Sequence, residues 1–174
     1  TGVLAECGLN ILGARIFTRE DSIALDRFFV TDARSGQLPK GSQREQCEER
    51  LADALAAEQD IKLDLKHLPA DTFEYQAVAG ERIPTVIEFD NRSSADFTVL
   101  DLEAEDHVGL LYVVSDTLAD LGLNIQLAKI NTEEGAATDS FYVTDRGITK
   151  IVNEARQRNV AARLREAIEE LYAF

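Results

Sequence analysis

The run Asp106-His107-Val108-Gly109-Leu110 puts a carboxylate, an imidazole and a flexible glycine directly ahead of an apolar helical stripe. A helix start presents free N–H groups and the positive end of the helix dipole, which suits a carboxylate or another anion. Gly109 has no Cβ, so a ligand can come close to the backbone there. Asn124, and Asn10 at the corresponding place upstream, each open a strand with a side-chain amide that both donates and accepts. Each residue also has a plainer reading. Gly109 suits any helix start, Asp106 is an N-cap by type, and the asparagines follow glycines as caps or turn residues.

Other chemistry is thin. His107 and His67 are the only histidines, and neither has the partners a metal needs at ligand spacing, so no metal site is assigned. Asp101, Glu103 and Glu105 share one strand face, but no His, Lys or Cys recurs beside them for acid–base work. They read as a solvated acidic stripe. Cys7 and Cys47 do not make a disulfide framework, and Cys47 falls on the apolar stripe of a helix. Asp32 and Asp145 end strands and read as turn residues. No Gly-rich phosphate loop, HExxH or GxSxG occurs, so no catalytic residue and no cofactor is assigned.

The elements that position these residues come from an internal repeat, which fixes the fold before any local detail. Residues 8–18 (GLNILGARIFT) match 122–132 (GLNIQLAKINT), and 24–32 (ALDRFFVTD) match 137–145 (ATDSFYVTD). The pairs include Gly8 with Gly122, Asn10 with Asn124, Asp26 with Asp139, Phe28 with Phe141, and Asp32 with Asp145.

In the fuller copy, 85–90 and 97–103 alternate as strands around a polar turn. Leu110, Leu111, Val114, Leu118 and Leu121 come next at helical spacing, with Gly122 as a stop. Strands over 123–132 and 137–145 meet at a Glu134-Gly135 turn, and Val160, Leu164, Ile168 and Leu171 stripe a closing helix. The expected order is ββαββα, a permuted ferredoxin-like unit with its helices on one face of an antiparallel sheet.

The first copy begins inside its first helix, and the chain opens on Thr1 rather than Met, so upstream sequence is expected. Its remaining elements are strand 9–18, a turn at 19–22, strand 24–32, a helix over about 43–58 and a short strand at Ile61, Leu63 and Leu65. The expected division is therefore α+β, with a first module over 1–65, a linker over 66–84 and a second module over 85–174. An incomplete first sheet leaves a strand edge open, and open edges recruit partners, so self-association into a homodimer is expected.

A formal net charge of −14 argues against nucleic acid or an anionic membrane as partner. No apolar run approaches the ~20 residues that cross a bilayer, and the chain reads as reduced and cytoplasmic.

The string DHVGLLYVVSDTLADLGLNIQLAKINT at 106–132, with DSFYVTD at 139–145, resembles the ACT family. More narrowly, the two copies are similar to the C-terminal region of bacterial bifunctional uridylyltransferase/uridylyl-removing enzymes, which modify the PII nitrogen-signal protein. That resemblance implies a regulatory piece without catalytic residues of its own. It would bind an amino acid, glutamine first, and would control upstream nucleotidyltransferase and phosphohydrolase domains. It also implies where the ligand sits: the 106–110 turn of one module faces the Asn10-Ile11 strand of the other, and Asn124-Ile125 serves an equivalent upstream turn. The family's usual Asp-Arg-Pro-Gly-Leu turn keeps Asp, Gly and Leu here but not Arg or Pro, and a turn without Pro is less restricted in the free state. Two other classes stand beside the sensor: a structural pairing module, and a small enzyme on the same scaffold, which fold alone does not exclude.

Overall fold

The computed structural model describes residues 1–18, 23–56, 83–133, 135–146 and 149–173. The expected turn at 19–22, the strand at 61–65 and nearly all of the 66–84 linker, His67 included, lie outside the described residues.

Ten elements run in chain order: α1 (Gly2–Glu6), β1 (Leu9–Thr18), β2 (Ala24–Asp32), α2 (Gly41–Ala56), β3 (Val86–Asp90), β4 (Thr98–Glu105), α3 (Leu110–Asp120), β5 (Leu123–Glu133), β6 (Ala136–Asp145) and α4 (Glu154–Leu171). The strands form one antiparallel sheet in the order β2-β1-β5-β6-β4-β3. From β3 to α4 the order is the expected ββαββα. Instead of two separate sheets, the hairpins of the two repeat copies share a seam, where β1 pairs with β5 from Gly13 opposite Asn131 to Phe17 opposite Leu127.

Period-2 alternation decides which face is covered. Leu100, Leu102 and Ala104 of β4, Phe141 and Val143 of β6, Ala128 and Ile130 of β5, and Ala14 of β1 point to the helices and are buried. Val114 and Leu118 of α3 and Leu164, Ile168 and Leu171 of α4 close over them. Full burial of each such side chain stabilises the fold by about 1.5–3 kcal/mol. A smaller satellite joins Val3 of α1, Leu9 of β1 and Cys47 of α2, so Cys47 is a core residue.

The two copies repeat each other's local geometry. Gly8 ends α1 at φ 67° and Gly122 ends α3 at φ 72°, the left-handed conformation that glycine adopts without Cβ strain. Gly8 donates to the Ala5 carbonyl (2.9 Å) as Gly122 does to the Ala119 carbonyl (2.8 Å). The third residue of the next long helix then reaches back in both. Gln43 Nε2 donates to the Cys7 carbonyl (3.0 Å) and to Asp32 (3.0 Å). Arg156 donates to the Leu121 carbonyl and to both oxygens of Asp145.

Asp106 departs from its expected role. Helix α3 starts at Leu110 with Gly109 as its N-cap, and no side chain caps it. Among the described residues no helix is long and apolar enough to cross a membrane.

Candidate functional site

Three local features build one concavity where the repeat copies meet. The first is the turn into α3, in which Gly109 takes φ 92° and ψ −8°, and Leu110 donates its N–H to the His107 carbonyl (3.0 Å). A left-handed residue there turns the chain sharply, so Asp106 and His107 are held beside the first turn of α3. The second is the start of β1, where Asn10 and Ile11 precede a register shift between Ile11 and Gly13. The third is the end of the β5–β6 hairpin, which contributes Thr132 and Asp139.

Asn10 Nδ2 donates to Asp106 Oδ2 at 3.2 Å, tying the two copies together across the concavity. Asp106 is also fixed through its backbone, since its N–H donates to the Gly135 carbonyl (2.8 Å). Asp139 is only 3% exposed and accepts from the Asn131 N–H at 3.3 Å. Burial pushes the Asp139 carboxyl up to about 7, and the neighbouring charge of Asp106 adds to the rise. Asp106 is also raised by burial, with the Asn10 hydrogen bond and the adjacent His107 pulling the other way. The site thus pairs two desolvated carboxylates, which favour a cation, with an uncapped helix start, which favours an anion.

Asp106, His107, Gly109, Leu110, Asn10 and Ile11 all line this concavity. Val108 does not. It is buried against Ala5 and Ala33, behind the turn, where it packs one copy on the other. Asn124 and Ile125 lie elsewhere, because antiparallel pairing of β1 with β5 sends the two strand starts to opposite ends of the seam. Asn124 is exposed opposite Thr144, and Ile125 packs on the main core. His107 makes ring contact with Tyr172 (centroids 5.8 Å apart), and among the described residues no His, Cys, Asp and Glu cluster could hold a metal ion.

Reading the sequence missed Asp139 as a member of this site. The signal was present: Asp139 alternates with Phe141 and Val143, so it belongs to the covered face. Its repeat partner Asp26 is exposed on β2.

The concavity spans about 390 Å³, including space open to solvent, but its enclosed void is only about 20 Å³. A void of that size holds roughly one water molecule.

A family model described as ACR9-like, ACT-like domain matches residues 86–172. The chain is 37% identical over 168 residues to a bifunctional uridylyltransferase/uridylyl-removing enzyme of Novosphingobium aromaticivorans, covering 94% of this chain and 18% of that protein. Proteins of the same name from Ruegeria pomeroyi (33% over 178 residues; 97% and 18% covered) and Caulobacter vibrioides (34% over 168; 96% and 17%) are similar to it as well. The chain therefore spans less than a fifth of the length of these relatives. No solved structure matches it. With the matched region covering β3 through α4 in ββαββα order, the chain belongs to the ACT-like domain family.

Proposed function

We propose that the chain is a tandem pair of ACT modules that binds a free amino acid, glutamine first. On this reading it sets the balance of uridylyl transfer and removal in catalytic domains elsewhere in a PII uridylyltransferase of the cytoplasm. The observation that carries the reading is the concavity between the copies, where Asn10, Asp106 and Asp139 gather beside the start of α3. An amino acid bears a carboxylate and an ammonium on one carbon. The first-turn amides of α3 suit the carboxylate, and the Asp106–Asp139 pair suits the ammonium. The chain itself contributes regulation and no catalytic step.

A sensor works near ambient metabolite levels, so a dissociation constant on the order of 0.1–1 mM is expected, about −4 to −5.5 kcal/mol. Calorimetry with each of the twenty amino acids tests this directly. Glutamine should give saturable heat that Asn10→Ala and Asp139→Asn both reduce. A chain that gives no heat and no thermal shift with any of them is not a sensor. The small enclosed void supports a second reading, a structural pair that joins domains without ligand, and that outcome would establish it.

A further inference from the structure

The face of the sheet opposite the helices carries an ordered row of charge. Register places Arg27 of β2 beside Arg15 of β1, Arg15 beside Lys129 of β5, and Lys129 beside Ser140 of β6. The row continues to Asp101 of β4 and Glu88 of β3. Three cations therefore lead, through one hydroxyl, to two carboxylates. Like charges opposite one another on neighbouring strands repel, so this order costs the single chain stability. No ion pair between described residues engages any of the five charges. Their side chains are nonetheless oriented on the face. Arg27 stacks on Phe29 and Lys129 on Tyr142, each 5.1 Å from the ring centre, and Ser140 donates to Asp101 (2.5 Å).

The rows on either side mix apolar and polar side chains. One runs from Phe29, 52% exposed and packed across Gly13, through Asn131, Thr138 and Glu103 to Val86, 39% exposed. The other runs from Leu25 through Leu127, Tyr142 and Val99, the last already buried, to Asp90 on β3.

We infer that this face is the interface with a second copy of the chain, packed sheet on sheet about a twofold axis parallel to the strands. Such an axis keeps each row at its level and reverses its direction. It lays Arg27 over the other copy's Glu88, Arg15 over Asp101, Lys129 over Ser140, and Phe29 over Val86. The same residues serve on both sides, as a closed isologous contact requires. Aligned packing of twisted sheets preserves this correspondence to within about 30°. Six strands about 4.8 Å apart give a face roughly 25–30 Å wide, enough for on the order of 800 Å² per partner. An axis across the strands would instead stack cations on cations.

The test is sedimentation equilibrium of the 174-residue chain up to roughly 1 mM, the weak end of specific association, with circular dichroism to verify folding. The chain should dimerise. Arg15→Asp and Asp101→Arg should each weaken the dimer at least about tenfold when alone, through like-charge contacts. Mixed in equal amounts they should dimerise again, because both reciprocal contacts become attractive. The neutral changes Arg15→Gln and Asp101→Asn should weaken the dimer less than the reversals do. A chain that stays monomeric, a dimer untouched by both reversals (as pairing through the β2 edge would be), or two monomeric variants that mixing does not rescue would each overturn the inference.

Discussion

Asn10 and Asp106 stand 96 positions apart and share a hydrogen bond of 3.2 Å, the side-chain link that joins the two repeat copies across the concavity. Removing the amide leaves a desolvated carboxylate without this donor. Asn10→Ala should therefore destabilise the fold by about 1–2 kcal/mol. Asn10→Asp should cost more at neutral pH than near pH 4, because it sets a second carboxylate against Asp106. Urea unfolding of both variants at two pH values checks this, and equal costs at both would mean that the contact is not electrostatic.

Asp139 makes the stability of the chain depend on pH. Its carboxyl titrates near 7 when folded, against an ordinary value of 3.8. Between those values the folded chain holds a proton that the unfolded chain has released, so stability falls as pH rises from about 4 to about 7 and levels off above. The loss is on the order of 4 kcal/mol. Asp106 shifts in the same direction and adds to it. Asp139→Asn should flatten most of the slope and should be more stable than the parent at pH 8, measured by urea unfolding across that range.

How far the sequence foretells this structure depends on the range of the interaction concerned. The bounds of β1 and β2 come from alternation and from the repeat, and Gly122 ends α3 as a positive-φ stop should. Those signals act within one element. The N-cap reading of Asp106 fails because helix α3 begins at Leu110, leaving its side chain to cross to Asn10, a contact that no local capping rule contains and that the family resemblance alone suggests. Asp139 was visible in the alternation of its strand, but its partner Asp106 enters from another element. The row from Arg27 to Glu88 exists only once five strand registers are known, and no single strand reveals it.

Arg156 is the more strongly charged of the two equivalent helix latches. It bonds Asp145 through Nε (3.0 Å) and one terminal nitrogen (3.2 Å), and also reaches the Leu121 carbonyl at the end of α3. Both partners of the pair are partly buried, at 27% and 21% side-chain exposure, so the bridge is worth more than a surface pair. Arg156→Ala should cost about 1–3 kcal/mol. Arg156→Lys should recover less than half of that, because a point charge cannot bridge a carboxylate and a carbonyl together. Thermal unfolding of the three proteins checks both statements.

Cys47 should resist alkylation in the folded chain. Burial pushes its thiol up to about 11, with the adjacent Cys7 contributing to the rise. The thiolate is the reactive form, so at pH 8 its population lies about a hundredfold below that of a thiol with the ordinary value of 9.0. Mass spectrometry after a short iodoacetamide pulse should find Cys47 unmodified in the folded chain and modified in urea. Rapid labelling in the native state would contradict its placement in the core.

Ligand binding should be coupled to the same proton that governs stability. Near neutral pH Asp139 is divided between its two forms, and an ammonium placed against the carboxylate pair favours the ionised one. Binding therefore expels a proton, and glutamine should bind roughly fivefold to tenfold more tightly at pH 7.5 than at pH 6, in line with the ionised fraction. Asp139→Asn fixes the neutral form, so its affinity should sit near the low-pH value and change little with pH. Calorimetry at pH 7 in two buffers of different ionisation heat measures the proton directly, with about half a proton released per ligand. His107 also lines the concavity, and His107→Gln serves as the control that leaves the Asp139 effect in place. Equal heats in both buffers, together with unchanged affinity in Asp139→Asn, would place the ammonium elsewhere in the concavity.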